Sequence, residues 1–226
     1  MPRLRLLASA LALTLALPLA HAAGADGRSI DKVNGSITAS AGQAWGALTT
    51  VNGSIHVEDG VTTGNAETVN GSIKVGDSAR TGSLQTVNGS IRLGRDVQAG
   101  DLTTVNGSVF ADHGDRLARD IETVNGSIGL VHTELAGGIR TVTGDITVGV
   151  SSHVHGGIHV EKQQHGWNLN LVRQRPPRIV VGPNATVDGP LVFEREVVLY
   201  VHDSAKTGPV TGAKVLHFSG DHAPME

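Results

Sequence analysis

Residues 66–93 read AETVNGSIKVGDSARTGSLQTVNGSIRL, and the Val-Asn-Gly-Ser-Ile that begins at Val69 begins again at Val87. Outward from there, the same five residues start at Val33, Val51 and Val124, and at Val105 with Val109 as the last member. A degenerate seventh copy runs from Val142 to Ile146. The spacings are 18, 18, 18, 18, 19 and 18 residues. A fixed period of this length marks a repeat architecture, in which each unit must stack on its neighbours to bury its apolar surface.

Aligned, the copies show columns that stay apolar. The fifth position of the motif holds Ile37, Ile55, Ile73, Ile91, Val109, Ile128 and Ile146, and the seventh holds Ala39, Val57, Val75, Leu93, Ala111, Leu130 and Val148. One polar position separates the two, which is the period of a strand with one buried and one wet face. Three residues before each motif stand Leu48, Ala66, Leu84, Leu102, Ile121 and Ile139, in a segment that reads as a second short strand. A looser column holds Ala41, Val61, Ala79 and Val97, with Leu117 and Leu135 shifted by one or two places. These columns, with the motif's first valines, predict Val/Ile ladders filling an interior.

The corner between the strands is Asn34-Gly35, Asn52-Gly53, Asn70-Gly71, Asn88-Gly89, Asn106-Gly107 and Asn125-Gly126. Both residue types tolerate left-handed φ, so the pair reads as a turn. Asn-Gly between alternating strands is also the sign of an antiparallel hairpin, so an up-and-down barrel or meander is the rival fold. Strands of three to five residues, and the return of one residue type to one column in each unit, favour an all-β parallel solenoid of about 18 residues per coil. Each coil then lies about 4.8 Å above the last. The asparagines form a hydrogen-bonded ladder at one corner and satisfy turn amides there. Roughly seven regular coils make a rod of about 30 Å.

The ends read differently. Arg3 and Arg5 precede an apolar stretch from Leu6 to Ala20, and Ala20-His21-Ala22 offers small residues for cleavage. This is the layout of a secretory signal peptide over residues 1–22, removed on export to the periplasm or beyond. Its apolar stretch is shorter than the roughly 20 residues that span a bilayer, and no later run is long enough to span. The chain has no Cys, which excludes a lipid-modified cysteine and any disulfide framework. With 18 Lys and Arg against 21 Asp and Glu, less Arg3 and Arg5, the exported chain carries a net charge of about −5, which argues against nucleic acid as partner.

Residues 23–160 form the repeat. Residues 161–177, with Trp167 and Pro176-Pro177, break the pattern and read as an irregular crossing or lid. Strand-like patterning resumes over 178–218, as two or three further coils, a cap, or a small separate β domain. Residues 219–226 read as a frayed tail. Trp45 and Trp167 read as caps over the apolar ends of the stack.

The seven motifs resemble those of the bacterial adhesin-type β-repeat proteins, a family described as a domain of unknown function, which carry Val-x-Gly-x-Ile units after an export signal. Residues 178–218 also resemble, weakly, the polymer-forming β-helix proteins of the bactofilin type. These resemblances imply an envelope-associated or extracellular protein with no established chemistry.

The residues agree with a protein that is not an enzyme. Six repeated serines beside the turn glycines (Ser36, Ser54, Ser72, Ser90, Ser108, Ser127) look like corner residues, because a catalytic serine is singular and has a positioned base. No nucleophile elbow, Walker or dinucleotide motif is present, so no cofactor is expected. Gly76-Asp77 and Gly144-Asp145 are too isolated for a calcium roll. Eleven histidines raise a metal site. The candidates are His153, His155 and His159, with Glu161 as a fourth ligand, set against the simpler reading of solvent-facing histidines. Two functions follow: a structural, self-associating envelope protein, or a surface adhesin or carbohydrate- or peptide-binding module that uses one solenoid face.

Overall fold

The computed structural model describes residues 27–162 and 175–224. The signal peptide and most of the expected crossing, Trp167 included, lie outside the described residues. The rest is a parallel β-solenoid. Its strands fall into three sheets, and each sheet is one side of a triangular coil. Side one stacks ten strands, from Arg28–Asn34 and Trp45–Asn52 up to Val210–Thr211. Side two stacks ten, from Ile37–Ala39 and Ile55–Val57 up to Val215–Phe218. Side three is six strands, from Gln98–Ala99 to Lys206–Thr207, extended below by single bridges through Arg80 and Thr62. Every pairing is parallel, which removes the barrel and the meander. Numbered by their side-one strands, coils 1 to 7 carry the seven motifs.

The interior follows the alternation. The isoleucine column of side two pairs in register, Ile37 on Ile55, Ile55 on Ile73 and Ile73 on Ile91, and is essentially free of solvent. So is the side-one column of Leu48, Leu84, Leu102, Ile121 and Ile139. Each fully buried Ile or Leu contributes about 1.5–3 kcal/mol of transfer free energy.

One expected column is not in the core. The motif's first valines point outward, with Val51 to Val142 half-buried and Val33 66% exposed. The reason is parity. These valines stand three residues after Leu48 and its equivalents in the same strand, and an odd offset puts them on the opposite face. The preceding threonines point inward instead. Thr50, Thr68, Thr86 and Thr104 are buried, and their hydroxyls donate to the carbonyls of Gly35, Gly53, Gly71 and Gly89 at 3.1, 2.8, 2.8 and 3.0 Å. The bond removes the cost of burying the hydroxyl.

Side three corrects a second column. Leu117 and Leu135 are not shifted members of the Val61, Ala79, Val97 column. Leu117 pairs with Ala99, and Leu135 with Leu117. Asp115, Thr133 and Ser152 occupy the original column in coils 5, 6 and 7, all fully buried. The inward apolar position thus moves two residues along the strand as the stack rises.

The Asn-Gly corner forms the expected ladder. Asn52 Nδ2 donates to Asn34 Oδ1 at 3.0 Å, and Asn70, Asn88, Asn106 and Asn125 continue it at 2.9–3.1 Å. At coil 7 Thr143 donates to Asn125 and ends it. Four of the glycines are needed there for a reason other than the expected one. Gly53, Gly71, Gly89 and Gly107 do not have left-handed φ; a Cβ on each would collide with the backbone carbonyl of the glycine one coil below. At this corner Gly35 does have the expected positive φ, of 102°, and Gly126 has 159°; the next corner has one left-handed residue per coil, among them Gly60, Ser78, Asp96, Gly114, His132 and Ser151.

Beyond Lys162 the stack resumes. Arg178–Val181 pairs with Ile146–Val148, and Leu191–Phe193 with Ile158–Val160. Residues 178–218 therefore complete coil 8 and add coils 9 and 10, and they are not a separate body. At about 4.8 Å per step, ten coils span roughly 45 Å. The tail is packed: Ala223 joins Val180, Tyr200 and Phe218 in a small cluster outside side two, and Arg178 donates to the carbonyls of Ala223 and Pro224 at 3.2 and 3.0 Å. The two ends differ. Trp45 is buried at the start of the side-one strand of coil 2, its indole N–H bonded to Ser40 O at 2.9 Å. In coil 10 and the top of coil 9, Ala205, Val210, Ala213 and Val215 are only half-buried, and among the described residues no strand follows them. Among the described residues no helix is long and apolar enough to cross a membrane.

Candidate functional site

Most conspicuous side chains of the motif are occupied in holding one coil to the next. The corner serines accept backbone N–H groups: Ser36 Oγ from Ser54 at 3.2 Å, and Ser54, Ser72 and Ser90 likewise. The two Gly-Asp aspartates are taken up as well. Asp77 accepts from the backbone N–H of Arg95 at 2.9 Å and from its guanidinium at 2.7 and 3.1 Å, and these bonds hold its carboxyl below the usual range. Asp145 accepts from Arg178 N at 2.8 Å and Arg175 at 2.6 Å.

The histidine candidates divide. His153 lies in the side-three strand of coil 7 and His155 just past its end, two residues on, and both side chains face outward on either side of buried Val154. Their rings are 4.0 Å apart between centroids and tilted by 36°. Two carboxylates that the sequence reading did not single out complete the group. Glu134 comes from coil 6 directly below His153, and Asp188 from coil 8 above His155. His153 Nε2 is 2.7 Å from Asp188 Oδ2, and its Nδ1 is 3.4 Å from Glu134 Oε1. His155 Nε2 bonds to Glu134, and its Nδ1 lies 3.3 Å from Asp188 Oδ2.

His159 does not join them. It is on side one, with Nε2 3.0 Å from Glu194 Oε1. The backbone N–H of Lys162, and then His159, hold the Glu194 carboxyl below its usual range. Glu161 belongs to that face too; burial pushes its carboxyl up, against the pull of His159. The structure does not bring His153, His155, His159 and Glu161 together: His159 and Glu161 lie on side one, because a strand and its successor around a corner face different directions. Glu134 was legible in principle, since it precedes His153 by one coil of 19 residues. Asp188 was not, because it sits 35 residues from His153, across the interval where the register is interrupted.

One titrating group lies inside the rod. Asp115 is fully buried in a core column and accepts from the backbone N–H groups of Val97 and Asp112, both at 2.8 Å. Burial outweighs those bonds and pushes its carboxyl up to about 7. The depressions among the described residues are shallow. One, of about 300 Å³, lies at the Asn corner beside Asp145, Arg175 and Arg195; another, of about 340 Å³, lies beside Arg140 and His159.

No family model, no curated protein and no solved structure matches this chain. What is shown is the class, a parallel β-solenoid of 18-residue coils.

Proposed function

We propose that the chain is an exported, non-enzymatic structural protein of the cell envelope that self-associates end to end. The observation that carries this is the upper end of the stack. Strands Lys206–Thr207, Val210–Thr211 and Val215–Phe218 each have one edge without a partner strand among the described residues, over half-buried Ala205, Val210, Ala213 and Val215. A parallel edge with apolar residues beneath it is a template for another strand. At the other end the Arg28–Asn34 strand is largely exposed. Joining unlike ends is a heterologous contact that does not close, and it produces filaments. The polymer-forming resemblance agrees with this reading, and the layout of residues 1–22 supports export.

Sedimentation velocity over a wide concentration range tests the proposal. Species should grow with concentration, and Val215→Lys, which puts a charge at the open end, should leave a monomer. A wild type that stays monomeric at every concentration would overturn it.

A second reading, an adhesin or carbohydrate-binding module, is favoured by one row. His56, Lys74, Arg92 and Phe110 stack outward on side two, with the Arg92 guanidinium 5.4 Å from the Phe110 ring centroid. Binding of an anionic glycan that Arg92→Glu abolishes would support it; equal binding by both proteins would remove it.

A further inference from the structure

We infer that Glu134, His153, His155 and Asp188 form a binding site for a divalent transition-metal ion such as Zn²⁺. Ligand atoms of Glu134, His153 and His155 all lie within 4.8 Å of one another. Asp188 Oδ2 is within 3.3 Å of a ring nitrogen of each histidine. Two imidazoles and two carboxylates are a donor set suited to Zn²⁺, Ni²⁺ or Cu²⁺, and a poor one for Ca²⁺ or Mg²⁺, which take oxygen.

The position within the repeat separates this group from ordinary surface charge. The outward position two residues after each side-three pairing residue is Gly64, Gly82, Gly100, Ala118, Ala136 and Gly208 in the other coils. Only in coils 7 and 8 does it carry functional side chains, His155 and Asp188, and there they stack directly. His153 and Glu134 are register partners in the neighbouring column, in coils 7 and 6. The four residues so placed come from three successive coils, and coil 8 is the one completed after the register is interrupted. A bound ion would therefore tie that coil to the two below it. The rival account is a pair of imidazolium–carboxylate ion pairs, which needs protons and no metal.

Zn²⁺ titrated into the chelator-treated full chain, followed by calorimetry with a competing chelator, distinguishes the two. Expected are one saturable site per chain, a higher melting temperature with Zn²⁺, and no effect of Ca²⁺. His153→Ala and His155→Ala should each weaken binding by tenfold or more, and His159→Ala should leave it unchanged. Circular dichroism of each variant without metal checks that the solenoid persists. If that signal is lost, His155→Gln, which keeps the size of the side chain, replaces the alanine. No saturable binding at about 100 µM Zn²⁺, or binding by His153→Ala and His155→Ala equal to that of the wild type, would overturn the assignment.

Discussion

Coils 2–6 and coils 8–10 share the same three sheets but not the same corners. In the lower coils each corner repeats its chemistry: an asparagine ladder, serines that accept the next coil's N–H, and glycines packed backbone to backbone. In the upper coils the Asn-Gly-Ser corner is gone, while Gly189 and Gly208 still pack against the backbone of the coil below at the corner before side one, and the sheets continue without a break. What persists is the inward alternation: Ile158, Ile179, Leu191 and Leu199 stand where Ile139, Ile146 and Ile128 stand below. The parallel register therefore continues without the asparagine ladder and the corner serines, which add to it where they are present.

The comparison can be broken most severely at a corner glycine. In Gly89→Ala the new Cβ meets the Gly71 carbonyl, a backbone group that cannot move aside, so the variant should lose about 4 kcal/mol or fail to fold. Gly129→Ala is the control, because its Cβ meets only the Phe110 ring, at 3.3 Å, and denaturant midpoints should show little change. Next come Ile73→Ala and Ile179→Ala, one from each region. Both side chains are fully buried, so each should cost about 2–5 kcal/mol in urea unfolding. A far smaller cost for Ile179 would mean that the upper coils are not part of one core.

Asp115, in coil 5 of the lower region, makes stability depend on pH. Its carboxyl titrates near 7 when folded and near 3.8 when unfolded, so between those values the folded state holds more protons. Stability from this group is full below about pH 4 and is lost as pH rises through 7, with a change on the order of 2 kcal/mol after screening. Thermal melts of Asp115→Asn should lack that loss; an identical pH profile in variant and wild type would contradict the assignment. The smallest effect belongs to the ladder. Asn88→Ala removes the bonds to Asn70 and Asn106 and should cost about 1 kcal/mol, read as a small shift in melting temperature.

The coil, its period and the Asn ladder were legible because identical residues recur at identical spacing. Parity was legible too and was misapplied: Leu48 and Val51 cannot both face inward, and Thr50, polar by type, gave no hint of its buried bond to Gly35. The exchange of inward columns at Leu117 was hidden because Asp115 and Thr133 do not look like core residues. For the candidate site, His153 and His155 were visible as neighbours in sequence. Glu134 and Asp188 reach them only through stacking, and for Asp188 the spacing is set by an interval with no repeat in it.

Disulfide trapping tests the single continuous stack most directly, since the chain has no cysteine of its own. Gln85 and Thr103 are register partners in the lower coils, and His159 and Val192 are partners across the interruption. Strands at ladder spacing bring paired Cα atoms within the range a disulfide spans. Both double-cysteine variants should oxidise within the chain, at similar rates and under native conditions. Bridging by the Gln85/Thr103 pair alone would mean that the upper coils do not stack on the lower ones.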